Sequence, residues 1–319
     1  MTSQPGALPT ALRTARPAGS GRTRGVAGRR RSRGPGRGAG KRLRAVALNG
    51  AGIVVAVVTL APIVWMISTA FKPRTEIFSL TPHILPSHPT LANFGRVFSG
   101  SAIGMSFWTF FRNSLYVTGA AVLASALLSL LAAVAVARFR FRFRTSFLIL
   151  LLVVQMLPQQ ALVIALFIDF RAANLLDSLT ALALVYTAFA LPISIWMLHN
   201  FVAAVPREME EAASIDGAGP ARIFWRILFP LVAPGLVATS VFSFIYAWNE
   251  YIFALTFLSP NFPAKFTLPI YVTYFMGQRS SDWGAIMAAS TLYTIPPIVF
   301  FLIVQRKMAR GLVAGAVKG

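Results

Sequence analysis

Strongly nucleophilic and metal-ligating side chains are few and scattered in this 319-residue sequence. It contains no cysteine, and its three histidines, His83, His88 and His199, are not paired at a spacing that would hold a metal ion. No serine, histidine and aspartate fall into a pattern that predicts a nucleophile with its base. We therefore predict no catalytic group, no metal site and no cofactor bound by this chain.

The main ionisable residue inside an apolar stretch is Glu250, which lies beside Tyr246, Trp248 and Asn249. An ionisable group within a membrane is costly, so it generally faces the interior of a helix bundle or a polar path. Aromatic faces with amide and carboxylate oxygens are also groups that hold sugars. The cluster is a candidate for lining a translocation path. A glutamate at the outer membrane interface, bonded to a neighbouring helix, is the alternative.

A second polar group within an apolar stretch consists of Gln155 and Gln159, on either side of Pro158. Proline removes an amide donor and bends a helix, and such breaks are tolerated in membranes where neighbours or a cavity satisfy the freed carbonyl groups. These glutamines are therefore also candidates for the path.

The composition indicates an integral membrane protein. Hydrophobic residues make up 56% of the chain and charged residues only 12%, and the mean hydropathy is +0.67. Soluble globular proteins carry about 25% charged residues, so an ordinary soluble enzyme is excluded. The formal net charge of +21 is concentrated near the amino terminus.

Six apolar segments are each long enough to span a bilayer as a helix, which needs about 20 residues. The fold class predicted from them is an all-α, polytopic membrane protein. The segments are 47–71, 113–137, 146–168, 179–203, 233–258 and 284–305.

The distribution of basic residues predicts the orientation. Residues 1–44 hold 12 of the 30 lysines and arginines and none of the nine acids, so we expect a disordered cytoplasmic tail. A nucleic-acid-binding arm is the alternative, disfavoured because an apolar run follows directly. With six spans, 23 basic residues fall on the side of both termini and seven on the other, which predicts cytoplasmic termini.

These features predict four regions along the chain. After the 1–44 tail, residues 45–112 hold the first span and a long outer loop that could meet an extracytoplasmic partner. Residues 113–305 form the main transmembrane domain, and 306–319 form a flexible cytoplasmic tail.

The loop at 206–230, between the fourth and fifth spans, differs from the others. Pro206 and the acidic residues after it predict a helix over 206–215, and Gly217 is suited to end that helix in a left-handed conformation. A second helix is predicted from about 220 to 228, ending before Pro230. Two short helices make a stiff projection, and its mixture of acids and bases suits contact with a protein.

Six positions of this loop follow a fixed spacing: Glu211, Ala212, Ala213, Gly217, Ile227 and Pro230. The pattern resembles the EAA loop of binding-protein-dependent ABC importer permeases. Phe229 departs from it, because the family usually has leucine there, but it remains large and apolar.

Two further stretches resemble the carbohydrate-uptake branch of that family. Residues 246–251, with Ala254 and Leu255, are similar to the fifth span of sugar-importer permeases. Residues 311–319 are similar to the carboxyl tail of the G-type subunit of maltose transporters. The resemblance covers about 45–319.

The resemblance implies the type I importer permease fold and a transport function by alternating access. It implies that the loop docks into a separate ATPase dimer, which binds ATP and magnesium. The other implied partners are a second permease subunit, an extracytoplasmic solute-binding protein and the lipid membrane, with no nucleic acid.

Three alternatives differ in what they require. A permease for a non-sugar solute would keep the docking loop. A secondary transporter would need inverted repeats and coupling-ion residues at the midplane, and would not need that loop. A membrane enzyme would need paired acids, histidines or metal ligands at one membrane face.

Overall fold

The computed structural model describes the backbone of residues 36–100, 103–277 and 281–316, and the side chains of 44–100, 103–277 and 281–305. Within these ranges the regular structure is helical, with one isolated bridge between Met276 and Ser281. The α-helices, in chain order, are α1 (Gly36–Ala70), α2 (Arg74–Ile77), α3 (Ala92–Ser99), α4 (Phe107–Arg138), α5 (Arg144–Met156), α6 (Val163–Ala172), α7 (Leu179–Ala203), α8 (Glu208–Ile215), α9 (Pro220–Ile223), α10 (Phe229–Asn249), α11 (Ile252–Phe257), α12 (Leu268–Thr273) and α13 (Trp283–Ala316).

Among the described residues, five helical segments are long and apolar enough to span a membrane. A bent pair of shorter helices makes a sixth span if it is counted as one. The prediction of an all-helical, polytopic chain is confirmed. The long segments are 44–70, 107–138, 179–203, 220–249 and 283–305.

The third predicted span, 146–168, is wrong as a single helix. It is formed by α5 and by the helical segment 159–172, whose axes differ in direction by 86°. Pro158 lies at the break and begins a short 3₁₀ turn over Gln159–Leu162. Proline lacks the amide hydrogen that a continuous helix would use at this position. The predicted bend is therefore a sharp corner in the structure.

The helices at both ends of the chain extend further than predicted. The disorder predicted for 1–44 is wrong over 36–44, because the backbone of α1 is helical from Gly36, immediately after Pro35. The flexible tail predicted at 306–319 is wrong over 306–316, where α13 continues. Once an apolar span has nucleated a helix, each added residue contributes a hydrogen bond at little further cost. Residues 1–35 and 317–319 lie outside the described residues.

The fifth predicted span, 233–258, also has other bounds. The helix predicted to stop before Pro230 instead continues from α9 through a π-helical turn, Phe224–Leu228, into α10. A π turn widens the helix, so the missing amide of Pro230 does not stop it. At the other end the helix stops at Asn249, and α11 begins two residues after Glu250.

The centre of the bundle is formed by α4, α7 and α10. Gly235 of α10 lies so close to α7 that an added Cβ would come within 2.3 Å of the ring of Phe201. The hydroxyl groups of Ser194 and Ser243 join α7 and α10 across 3.1 Å in the buried interior. Small residues and hydroxyl pairs of this kind let helices approach closely within a membrane.

The predicted outer loop contains the two short helices α2 and α3. Asn93 of α3 is buried and donates hydrogen bonds to the carbonyl groups of Ala70 and Lys72, at 2.7 and 2.9 Å. Arg96 of α3 forms an ion pair with Asp282, just before α13, at 2.7 Å. These contacts tie the end of α1, α3 and the start of α13 together.

Replacement of Gly284 by alanine should loosen this junction. An added Cβ would lie 2.3 Å from Oδ1 of Asn93, whose amide is already held by two carbonyl groups. Overpacking of this kind costs about 1–3 kcal/mol, so the midpoint of thermal unfolding in detergent should fall by several degrees. Gly95→Ala on α3 is the matched control, because nothing lies within 4 Å of its added Cβ. Equal midpoints for the two variants would contradict the prediction.

Candidate functional site in the loop between α7 and α10

The loop helix α8 has the predicted bounds to within two residues and ends as predicted. Its first turn carries Glu208, Glu210 and Glu211, which favour the positive end of the helix dipole. Gly217 has a φ of +78°. The amide of Ala218 donates to the carbonyl of Ala213 at 2.9 Å, and that of Gly217 to the carbonyl of Ser214 at 3.1 Å. This paired arrangement is the Schellman motif, for which glycine is preferred.

The residues of the EAA-like pattern are presented along one projecting segment. Glu211 and Ala212 are exposed, and Ala213 is half-buried. Gly217 and Pro230 are exposed, while Ile227, in the π turn, and Phe229, at the start of α10, are half-buried. The structure therefore leaves the acidic residue and the small residues beside it accessible to a partner.

The loop is fastened to the end of α4 by an ion pair. Nε of Arg138, the last residue of α4, lies 2.7 Å from Oε1 of Glu210, and both side chains are largely buried, at 10% and 21% exposure. Arg138 also donates a hydrogen bond to the carbonyl of Val205 at 3.0 Å. One guanidinium group thus holds both the start of the loop and its helix.

Arg207 strengthens the same junction from the loop side. It donates to the carbonyl groups of Ala137 and Arg138, at 3.0 and 3.3 Å. The last carbonyl groups of a helix have no partner within the helix and carry its negative dipole end, so a cation there is favourable. We call the arrangement of Arg138, Arg207 and Glu210 the α4–α8 clamp.

An apolar cluster lies beneath the clamp. It joins α4, α7 and the start of α10, and its buried members are Leu130, Ala133, Ala137, Leu198, Val202, Val205, Leu228 and Val232. Phe224 and Phe229 pack against it. The base of the loop is therefore packed against the ends of three long helices.

A groove of about 380 Å³ separates α8 and α9 from α4. The exposed motif residue Glu211 and the clamp residues Arg138 and Glu210 line it, together with Ser214 and Phe224. The groove is open at the surface of the loop, where a partner side chain could enter.

Glu250, the candidate for the path, joins two helices and caps a third. Its side chain accepts a hydrogen bond from the hydroxyl of Tyr186 on α7 at 2.7 Å, and others from the amides of Phe253 and Ala254 at 3.0 and 3.2 Å. The carboxylate thus satisfies the first amides of α11, which the break after Asn249 leaves without helical partners. These contacts agree with the alternative of a glutamate bonded to a neighbouring helix.

The residues beside Glu250 differ in accessibility. Trp248 is 1% exposed, and its indole nitrogen donates to the carbonyl of Tyr293 at 3.2 Å, so its ring belongs to the packed interior. Tyr246 is half-buried, and its ring meets that of Tyr186 edge to face. Asn249 is exposed and accepts a hydrogen bond from Tyr293 at 2.8 Å.

Gln155 and Gln159 lie on the bent third span, away from this hydrogen-bond network. Gln155 is exposed near the end of α5, and Gln159 is half-buried in the turn after Pro158. Among the described residues, no hydrogen bond joins either glutamine to Glu250. The two polar groups are thus separate, and their role in the path stays a prediction.

Sequence reasoning missed the clamp. In the sequence, Arg138 and Arg207 are two of the 23 basic residues on the side of both termini, and Glu210 is one of the acidic residues that follow Pro206. The available signal was that the basic turn after the second span and the loop at 206–230 share one membrane face. Their pairing depends on which helix ends are adjacent, and spacing along the chain does not give that.

A family model described as the inner membrane component of binding-protein-dependent transport systems matches residues 125–313. The chain belongs to this family. The match begins within α4, includes the loop and the clamp residues, and ends within α13.

Relatives of known name support the assignment over most of the chain. It is 41% identical to the diacetylchitobiose uptake system permease protein DasC of Streptomyces coelicolor, over 84% of this chain and 95% of that one. It is 35% identical to the trehalose transport system permease protein SugB of Mycobacterium tuberculosis, over 82% and 93%. It is 34% identical to the trehalose/maltose transport system permease protein MalG of Thermococcus litoralis, over 84% and 94%.

The fold is shared with a solved transporter. The crystal structure of a bacterial ABC transporter that imports the acidic polysaccharide alginate matches with a TM-score of 0.70. The match covers 84% of this chain and 97% of that one, at 22% identity. The family member described here therefore has the type I fold of ABC importer permeases.

Reversal of one charge of the clamp should release α8. In Arg138→Glu, two carboxylates would face each other where an ion pair now lies, which costs about 1–3 kcal/mol in a partly buried position. Amide hydrogen exchange over residues 207–218 should then accelerate about tenfold or more. The exchange can be followed by mass spectrometry of the purified protein.

The double variant Arg138→Glu, Glu210→Arg should recover part of that protection, because the opposite charges are again paired. Recovery will be incomplete, since the bond from position 138 to the carbonyl of Val205 is lost. Arg140→Glu, in the adjacent exposed turn, is the control and should leave exchange unchanged. Faster exchange in the control to the same degree would mean that general charge, and not the clamp, holds the loop.

Replacement of Gly217 by alanine should strain the end of α8. A residue with a Cβ in the left-handed conformation costs about 1–2 kcal/mol, so hydrogen exchange at the amides of Gly217 and Ala218 should accelerate. Gly219→Ala is the matched control, because Gly219 has a φ of −69° and nothing lies within 4 Å of an added Cβ. Unchanged exchange in both variants would show that the left-handed turn does not require glycine.

Proposed function

We propose that this chain is one permease subunit of an ATP-driven importer that moves a sugar or related solute across the cytoplasmic membrane. The observation that carries the proposal is the Glu211–Ala212–Ala213 segment, whose first two residues are exposed and which the α4–α8 clamp holds on the end of a membrane-spanning helix. The names of the relatives, which include uptake systems for diacetylchitobiose, trehalose and maltose, support the sugar class.

The coupling step uses the loop as a lever. In our proposal a separate ATPase dimer receives α8 in a surface cleft, where Glu211 pairs with a base and Ala212 and Ala213 allow close approach. Closure of the dimer then moves α8, and the clamp passes the movement to α4. Because α4, α7 and α10 share the apolar cluster beneath the loop, they move together and the bundle alternates between inward and outward access.

Other subunits complete this mechanism. A second permease provides the other half of the path, and an extracytoplasmic binding protein delivers the solute. One structural neighbour was solved as an alginate transporter with a periplasmic protein bound to an alginate pentasaccharide. ATP and magnesium bind at the ATPase dimer, and this chain is a non-catalytic subunit whose two termini lie in the cytoplasm.

Within the membrane, the proposed path includes the polar atoms near the break after α10. Tyr246, Asn249 and Glu250 supply hydroxyl, amide and carboxylate groups at this point. Trp248 is buried beside the proposed path, where it stacks on Tyr293 and positions the residues next to it. Gln155 and Gln159, at the corner of the third span, form a second polar section.

Replacement of Glu211 by lysine should uncouple transport without unfolding the chain. Glu211 is exposed and lies outside the clamp, so the loss should come from repulsion at the ATPase and not from the permease itself. We expect uptake of the transported sugar by cells to fall about tenfold or more. Insertion into the membrane and recovery of the second permease should be unchanged.

Glu208→Lys is the matched control, because Glu208 is exposed on the same helix and outside the motif. Its uptake should stay within about twofold of the natural protein. Uptake at the natural level in Glu211→Lys would remove the basis for the coupling role. Uptake by the purified chain alone in vesicles without ATP would instead identify a secondary transporter.

A further inference from the structure

A cavity of about 340 Å³ lies on the membrane face opposite the loop at 206–230. It is enclosed by the last turns of α1, by α2 with the segment after it, and by the start of α13. The hydrogen bonds of Glu250 involve α7 and α11, while α13 reaches both regions, through Met287 at the cavity and Tyr293 at Asn249. None of the residues that line the cavity belongs to the candidate sites described above.

Two indole rings form part of its wall. Trp65 of α1 and Trp283 of α13 are 42% and 44% exposed, and Met287 lines the cavity one helical turn beyond Trp283. Such rings offer flat apolar faces with a polar edge. Flat aromatic faces suit the apolar face of a sugar ring, whose axial C–H groups lie together.

The cavity also contains polar atoms that lack partners. The Thr69 hydroxyl oxygen and Oε2 of Glu76 are inaccessible to solvent and form no hydrogen bond among the described residues. Thr69 itself is 5% exposed. Buried polar atoms in folded proteins nearly always have a partner, so rotation of the Thr69 or Glu76 side chain toward a hydrogen-bonding ligand in the cavity would give these atoms one.

The charges in the cavity are balanced. Lys72 is 3% exposed, donates a hydrogen bond to the carbonyl of His83 and lies 4.3 Å from the centre of the Trp65 ring. The backbone amide of Ser87 donates to Oε1 of Glu76 at 2.8 Å and lowers the pKa of that carboxyl group, with a smaller contribution from the charge of Lys72. One cation and one carboxylate together favour a neutral, hydroxyl-rich ligand over an ion.

We propose that this cavity binds one ring of a neutral saccharide. The indoles of Trp65 and Trp283 contact the ring faces, and the Thr69 hydroxyl and Glu76 carboxylate form hydrogen bonds with its hydroxyl groups. The volume lies at the lower end of the range for small-molecule sites, about 300–1,000 Å³, which suits a mono- or disaccharide. The choice of a saccharide among polyols rests on the proposed function.

The test is binding of sugars to the complete transporter in phosphatidylcholine nanodiscs, measured by saturation-transfer NMR. The probes are trehalose, maltose and diacetylchitobiose, each presented without the binding protein. For at least one sugar we expect a signal that weakens about tenfold in the Trp65→Ala, Trp283→Ala variant, as loss of two aromatic contacts predicts. Thr69→Val keeps the shape of the side chain, and it should weaken binding while leaving thermal unfolding unchanged.

Trp108→Ala is the matched control, because Trp108 is exposed on the same face and lies outside the cavity. It should leave the signal unchanged. An equal signal in all variants, or none from any sugar, would overturn the proposal. Phosphatidylethanolamine retained by the natural protein but not by the double variant, in native mass spectrometry, would assign the cavity to a lipid headgroup instead.

The same variants separate this inference from the proposed function. If the transporter imports a sugar but its binding does not depend on Trp65 and Trp283, only the cavity assignment fails. If the cavity binds a sugar that the natural complex does not import under any condition tested, the transport proposal fails and the binding site stands.

Discussion

An ion pair and hydrogen bonds fasten α8 to the carboxyl end of α4 and hold the exposed loop on the membrane-spanning bundle. A membrane-spanning helix presents unsatisfied carbonyl groups at its end, and Arg207 satisfies two of them from the loop. Arg138, at the end of α4, forms an ion pair with Glu210 of α8. The last carbonyl groups of α4 need partners in any case, and the clamp supplies them from the loop. The same contacts attach the exposed helix α8 to the buried helix α4.

At its other end, α4 is fixed by equally specific bonds. The amide of Asn113 donates to the carbonyl groups of Ala264 and Phe266, at 2.8 and 2.9 Å, and the hydroxyl of Ser114 accepts from the amide of Leu268 at 2.7 Å. Irregular backbone is tolerated near a membrane only when its polar groups have partners. Helix α4 is therefore held by specific polar contacts at both of its ends.

The same need for hydrogen-bond partners explains the polar residues inside the bundle. Glu250 lies where α10 ends and α11 begins, and its carboxylate accepts hydrogen bonds from the amides of Phe253 and Ala254, which have no helical partner at that break. The hydroxyl groups of Ser194 and Ser243 join α7 to α10. Such a bond matters within a membrane because apolar side chains contact lipid about as well as they contact another helix. A residue that stabilises a helix break can also line a path, because both roles need a polar group at an interruption of the helix.

Residue types and their spacing are enough to predict the class of protein, the apolar segments, the position and spacing of the loop motif and the left-handed turn at Gly217. Each of these depends on local properties: side-chain hydropathy, helix length and the φ angles that only glycine adopts easily. Four features depend on contacts that only the folded chain makes: the corner at Pro158, the continuous helix through Pro230, the pairing of Arg138 with Glu210 and the cavity beside Trp65 and Trp283. A proline can end a helix, bend it or lie within it, and the packing around the helix decides which occurs. Side chains distant in sequence can pair only when packing brings their helices together.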